Sequence, residues 1–154
     1  MYTEDILYRP VIPEDILPLA LLRAEEPEGQ DYWERRIRGY LDGVINPQAA
    51  LSPRIIYVAV QGETIVGFIA GHLTRRFGCD AELQWVNVVE PYRGTGISTG
   101  LFRQLAGWFI AQQAFYICVN CAEDNTPAQK FYRRLGAETL SPHWLVWKDI
   151  GRIQ

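Results

Sequence analysis

Residues 86–101 read Val-Asn-Val-Val-Glu-Pro-Tyr-Arg-Gly-Thr-Gly-Ile-Ser-Thr-Gly-Leu. A valine-rich run leads in, Gly94 and Gly96 stand in the middle, and an amphipathic helical pattern leads out. A strand, a glycine turn and a helix N-terminus in that order form an anion site. Glycine lets backbone N–H groups come close to a ligand. The first amides of a helix lack internal acceptors and carry the positive end of its dipole. A phosphate or pyrophosphate is the usual guest of such a place. The dinucleotide fingerprint needs a third glycine where Thr99 stands, and no Gly-Lys-Ser/Thr run exists for a nucleoside triphosphate. What remains is Arg93-x-x-Gly96-x-Ser98, or else a plain strand-to-helix turn.

The rest of the chain sets bounds on this loop. Its 154 residues suit one domain, here taken as residues 1–154. Such a chain buries roughly 70% of its unfolded surface, enough for a core without disulfide staples. Apolar residues make up 48% and charged residues 21%, with a net charge of −3. No basic run appears, so nucleic acid is not an expected partner. No apolar stretch approaches the roughly 18 residues of a membrane span, and no secretory leader opens the chain, so a cytoplasmic protein without a membrane partner is expected. Three cysteines without framework spacing suit a reducing compartment.

Hydrophobic periodicity orders the elements. Residues 5–11 read as a strand. Pro13-Glu14-Asp15 opens a helix with Asp15 as its cap, and Glu25-Glu26-Pro27-Glu28-Gly29 ends it. Trp33, Ile37, Tyr40, Leu41 and Val44 recur on one face of a second helix, whose other face carries Glu34, Arg35, Arg36 and Arg38 to solvent. Residues 55–60 and 65–73 form a hairpin about Gln61-Gly62-Glu63, with His72 at its end either as a surface or capped histidine or looking into a cleft. Residues 81–89 are the strand feeding the loop and residues 98–113 the helix leaving it. A strand over 115–119, a helix from Pro127 to a left-handed cap at Gly136, and strands over 138–140 and 144–150 complete the chain. The fold class is α/β (α+β): a mixed, mostly antiparallel sheet of about seven strands with about four helices.

Residues 125–137, Asn-Thr-Pro-Ala-Gln-Lys-Phe-Tyr-Arg-Arg-Leu-Gly-Ala, supply a second signature. It resembles the Asn-x-x-Ala-x-x-Phe-Tyr-x-x-x-Gly-Phe pattern of the GNAT superfamily of N-acetyltransferases, with Ala137 in place of the last aromatic. Arg93-x-x-Gly96-x-Ser98 resembles that family's pyrophosphate loop, Gln/Arg-x-x-Gly-x-Gly/Ala, with Ser98 as the departure. Both signatures come in the family's order, and the resemblance covers nearly the whole chain. It implies an acetyl-CoA-dependent N-acetyltransferase and a sheet splayed between the strands ending at Val89 and Val119.

On that resemblance, the acetyl-CoA pyrophosphate lies on the amides of Gly94, Thr95, Gly96, Ile97, Ser98 and Thr99, with Arg93 adding charge. The pantetheine arm pairs with Val86 and Val88 like an added strand. Asn125 is a helix cap, a contact to the arm, or both. An ammonium with a lysine-like pKa of ~10.4 must lose a proton before it attacks a thioester. Glu82, on the strand parity of Val86 and Val88 and at the site of the base in some family members, is the candidate; Glu90 and Glu123 are alternatives. Tyr132 occupies the family's general-acid position, and an amide near Val88 is placed to hold the oxyanion. The acceptor is a small-molecule or peptide amine, with Trp33, Tyr40, Arg75, Arg76, Phe77, His143 and Trp144 in the segments that would shape its site. A non-catalytic acyl-CoA-binding module is the rival reading, and the resemblance also allows a homodimer. Cys118 and Cys121, three apart on or after a strand, point to opposite faces, so no metal site is expected.

Overall fold

The computed structural model describes residues 5–24 and 27–152. The elements are β1 (Ile6–Pro10), α1 (Ile16–Arg23), α2 (Gln30–Asp42), β2 (Ala50–Gln61), β3 (Thr64–Thr74), β4 (Ala81–Val88), α3 (Ile97–Ala111), β5 (Ile117–Asn120), α4 (Thr126–Arg134), β6 (Glu138–Ser141) and β7 (Trp144–Trp147). They form one seven-stranded sheet in the order β1-β2-β3-β4-β5-β7-β6. Every neighbouring pair is antiparallel except β4 and β5. No helix is long and apolar enough to cross a membrane among the described residues.

The sheet buries both faces. Leu19, Ile37 and Tyr40 of α1 and α2 pack with Val58, Phe68 and Trp85 on one face. Leu101, Leu105 and Phe109 of α3 pack with Ile69, Leu83 and Trp147 on the other. Burial on both faces explains why β2 and β3 read as near-continuous apolar runs rather than alternating ones. Gly71 sets how closely α3 approaches β3. A Cβ there would meet Phe109 at 2.8 Å and Leu105 at 2.9 Å.

Several expectations are revised. Asp15 does not cap α1: its own backbone is helical, and its side chain bonds to no helix amide. Its carboxylate instead accepts from the Ile12 N–H at 2.8 Å and from Arg9 at 2.8 and 3.1 Å, tying β1 to the turn before the helix. Helix α1 ends at Arg23; the expected stop at Glu25-Glu26 lies outside the described residues. Val44 falls beyond the left-handed Gly43 that ends α2 and is exposed. Arg36 does not project into solvent like Arg35 and Arg38. Its guanidinium lies 5.5 Å from the Trp33 ring and 5.8 Å from Tyr32, so a cation–π stack claims it. The last strand stops at Trp147, and Ile150 belongs to a short 3-10 turn buried against the α3 core.

The Arg9–Asp15 pair gives stability a pH dependence. Burial pushes the Asp15 carboxyl up, but the hydrogen bonds from Arg9 and Ile12 and the charge of Arg9 outweigh it, leaving the group below the usual aspartate range. A carboxyl held lower in the folded state adds stability above its unfolded value of ~3.9, and loses it as pH falls through the folded value. Asp15→Asn should therefore cost about 1–2 kcal/mol at pH 7. The gap between urea melts of the two proteins should begin to narrow below about pH 3.9 and close below the folded pKa of Asp15, and a gap independent of pH would contradict this account.

Candidate active site

Strands β4 and β5 pair over three positions only, Ala81 with Ile117, Glu82 with Cys118 and Leu83 with Val119. Beyond Leu83 they part, where the resemblance implied a splay. β4 stays on β3 to Val88, while β5 stays on β7, with Asn120 opposite Trp144. A cavity of about 690 Å³ opens between them, bordered by Glu82, Val86, Val119, Asn125, Tyr132 and Trp144 among others.

The β4 backbone faces this opening. The Val89 N–H bonds to the Val66 carbonyl at 2.9 Å. Antiparallel ladders alternate, so the N–H and C=O groups of Val86 and Val88 turn away from β3, towards the gap. Of these, the Val88 carbonyl is claimed by the Arg93 side chain at 3.0 Å. The Val86 amide, the Val86 carbonyl and the Val88 amide make no other hydrogen bond among the described residues.

The parity of β4 is not what simple alternation suggests. Ala70 lies opposite Trp85 and Gly71 opposite Leu83, so Gln84 is an extra residue. The irregularity shifts every later side chain by one place. Glu82 therefore shares its face with His72, Trp85 and Asn87, towards α1 and α2, while Val86 and Val88 lie on the α3 face with Ile69 and Gly67. The expectation that Glu82, Val86 and Val88 share a parity is corrected. Nothing in Leu83-Gln84-Trp85 signals the extra residue: no glycine or proline marks it. Gln84, Trp85, Arg23 and Asn120 also line the cavity and escape the sequence reading.

Glu82 is 4% exposed, an unusual burial for a carboxylate. Arg76 Nε lies 3.2 Å from its Oε1, and His72 Nε2 lies 3.5 Å from the same oxygen. The Arg76 guanidinium also stacks 4.6 Å from the Trp144 ring, and Phe77 meets that ring edge-on at 5.0 Å. His72, expected near the surface, is fully buried because its partner on α2, Tyr40, reaches it through the core. Glu90 and Glu123 are exposed and do not border the cavity; Glu123 lines a separate depression beside α4.

Across the gap, Asn125 accepts from the Ala128 N–H at 3.3 Å, so it caps α4, and it also borders the cavity. Tyr132 follows two turns later, 5% exposed and packed edge-on to Trp147 at 5.7 Å. Its hydroxyl makes no hydrogen bond among the described residues. Burial raises the phenol well above its ordinary value, Cys121 adds to this, and Arg23 opposes it. Cys118 packs with Cys79 in one cluster and Cys121 lies in another, as their spacing on an extended chain requires.

The glycine loop has the backbone its sequence implies. Gly94 and Gly96 adopt φ of 77° and 93°, a region where a side chain is strained. The first loop amide with a backbone acceptor is Gly100, bonded to the Gly96 carbonyl at 3.0 Å. The amides of residues 94–99 therefore face outwards at the head of a 15-residue helix, with Ile97 buried beneath as the anchor. Free amides and a helix dipole together match an anionic ligand.

Comparison with known proteins follows the same lines. The sequence profile of the acetyltransferase (GNAT) family matches residues 18–137. A search of curated proteins gave no match. Among solved structures, a protein assigned to the GNAT family from Desulfovibrio desulfuricans superposes with a TM-score of 0.74 at 14% identity, covering 94% of this chain and 99% of that one. The PaiA N-acetyltransferase of Thermoplasma acidophilum, solved with coenzyme A, gives 0.71 at 18% identity, covering 94% and 98%. Arabidopsis thaliana NAA60, solved with a bisubstrate analogue, gives 0.66 at 16% identity, covering 92% and 98%. At such identities the likeness speaks to the fold.

The raised Tyr132 phenol yields a direct check. A group whose neutral form is favoured by burial stays protonated past the ordinary tyrosine value of ~10. Absorbance titration at 295 nm up to about pH 10 should give the same curve for the wild type and Tyr132→Phe. Loss of one titrating phenol in the variant would show that Tyr132 ionises freely.

Proposed function

We propose that this chain, which belongs to the acetyltransferase (GNAT) family, transfers an acetyl group directly from acetyl-CoA to the primary amine of a small molecule. The observation that carries the reading is the single opening between β4 and β5, which brings a buried carboxylate, a buried phenol and free strand amides to one cavity. A non-catalytic binding module has no need of the carboxylate and the phenol together. We read residues 1–154 as one domain. Three buried, unbridged cysteines suit a cytoplasmic setting.

The free groups fit acetyl-CoA as co-substrate. The outward amides of residues 94–99 suit its pyrophosphate, and one anion at a helix head gains ~0.3–1 kcal/mol when exposed and up to ~2 when partly buried. The free Val86 groups suit an amide of the pantetheine arm, and Asn125 stands beside the same path. When bound, acetyl-CoA supplies a thioester open to attack by an amine. Glu82 takes the proton of the acceptor's ammonium. Tyr132, kept neutral by burial, gives its proton to the departing thiolate, which leaves as the thiol (pKa ~8.5), and the phenol is reprotonated from solvent before the next turnover. The Val88 amide is the donor nearest to hand for the oxyanion.

The acceptor enters by the mouth framed by Arg76, Phe77 and Trp144. Arg23, Arg76 and Glu82 are the charged residues bordering the cavity, an environment not prepared for a lysine-rich chain. A compact amine suits it better than a cationic peptide. A screen of both amine classes decides between them.

Thermal melts test the donor first. Acetyl-CoA or coenzyme A at a hundredfold excess over its Kd should add ~2.7 kcal/mol, and NAD should add nothing. No rise with either coenzyme A species would reduce the loop of residues 94–99 to a turn. Tyr132→Phe should then lower kcat by about 10²-fold or more with little change in acetyl-CoA affinity. Unchanged turnover would remove the general-acid role.

A further inference from the structure

His72 has no part in the chemistry above, yet it is fully buried beside its central carboxylate. It sits directly opposite Glu82 in the β3–β4 register and opposite Arg54 in the β2–β3 register. Its Nδ1 lies 2.8 Å from the Tyr40 hydroxyl, itself buried on α2. Its Nε2 has no hydrogen bond and lies 3.5 Å from Glu82 Oε1. Burying an imidazole costs free energy unless both nitrogens are used. An apolar side chain would fill the same place in the core at less cost.

Hydrogen-bond accounting fixes the tautomer. The Tyr40 hydroxyl has one polar partner among the described residues, His72 Nδ1. A buried phenol must donate its proton, so Nδ1 accepts it and the ring proton resides on Nε2. That N–H faces the Glu82 carboxylate. Arg76 Nε donates to the same oxygen, Oε1, at 3.2 Å. Oε2 accepts no hydrogen bond among the described residues, and Glu82 borders the cavity. The two oxygens are thus inequivalent.

We propose that His72, held by Tyr40, is a positioning residue that ties Glu82 Oε1 to the protein and so presents Oε2 to the acceptor amine. Contacts of this kind are long before the reacting complex forms and tighten within it. The charged and titratable groups around the pair are Tyr40 from α2, Arg54 from β2, Arg76 from the β3–β4 loop, and Cys118 from β5 with its neighbour Cys79. Arg54 stacks 5.1 Å from the Tyr40 ring and bonds its carbonyl at 2.6 Å, so the far end of the chain is fixed as well. The inference rests on the reading of Glu82 as the base.

The test has one readout independent of activity. The chain has two histidines, so imidazole signals of ¹⁵N-labelled protein are assigned by comparison with His72→Gln. His72 should be the Nε2–H tautomer, and Glu82→Gln should shift that Nε2–H proton signal. Kinetically, His72→Leu should lower kcat by roughly 10- to 100-fold at unchanged KM for acetyl-CoA. His72→Gln, whose amide N–H mimics Nε2–H, should recover most of that loss, and Tyr40→Phe should show a smaller, several-fold loss with mixed tautomers. Circular dichroism and the acetyl-CoA melt confirm that each variant folds. An Nδ1–H tautomer, a signal indifferent to Glu82→Gln, or equal losses in His72→Gln and His72→Leu would overturn the inference. The base reading would survive any of these, provided that Glu82→Gln alone abolishes turnover. If the spectra link His72 to Glu82 but Glu82→Gln turns over normally, the tie stands and the base reading fails.

Discussion

The functional half of this structure depends on one shortfall in hydrogen bonding. Among the described residues β4 and β5 are the only parallel neighbours in the sheet, and they pair over three residues. Past Leu83 each strand keeps its other partner, so the sheet stays continuous on both sides while a gap opens at its centre. Unpaired backbone amides in a buried strand are costly unless something satisfies them. A ligand with its own amide is the natural complement, which is why a flaw in the ladder reads as a binding site.

The same gap sets which helices take part. Helix α3 follows β4 through the glycine turn, so its free amides stand just past the end of that strand. Helix α4 starts just past β5 and brings Asn125 and Tyr132 to the other wall. Helices α1 and α2 lie behind the face that carries Glu82. The extra residue at Gln84 makes this division work, since without it Glu82 would share a face with Val86 and point towards α3. One irregular position thus sends the carboxylate and the strand valines to different layers of the protein.

Charge is used sparingly here. Glu82 is the only buried glutamate among the described residues, and the groups near it form a chain from the core to the surface: Tyr40, His72, Glu82, Arg76 and Trp144. The links are a hydrogen bond from Tyr40 to His72, a 3.5 Å approach of His72 to Glu82, an ion pair from Arg76 to Glu82 and a stack of Arg76 on Trp144. Phe77 and His143, both with positive φ, flank Trp144 at the outer end. Strained backbone of this sort persists only where surrounding contacts hold it.

The sequence by itself determined the element order, the strand count and the two signatures. Those depend on local chemistry: hydrophobic period, the positive φ open to Gly94, Gly96 and Gly136, and the capping geometry of Asn125. Tyr132 entered through the resemblance of residues 125–137 to a family signature, and its place on α4 beside the gap is a matter of the fold. Tertiary structure alone decided the rest. The parity of Glu82 turned on a register shift against β3, which no residue type in Leu83-Gln84-Trp85 announces. The burial of His72 turned on Tyr40 from a helix 32 residues away. Arg36 left the solvated face because Trp33 and Trp85 stack beneath it. Pairing, stacking and register join residues distant in the chain, and periodicity within one segment carries no record of the partner.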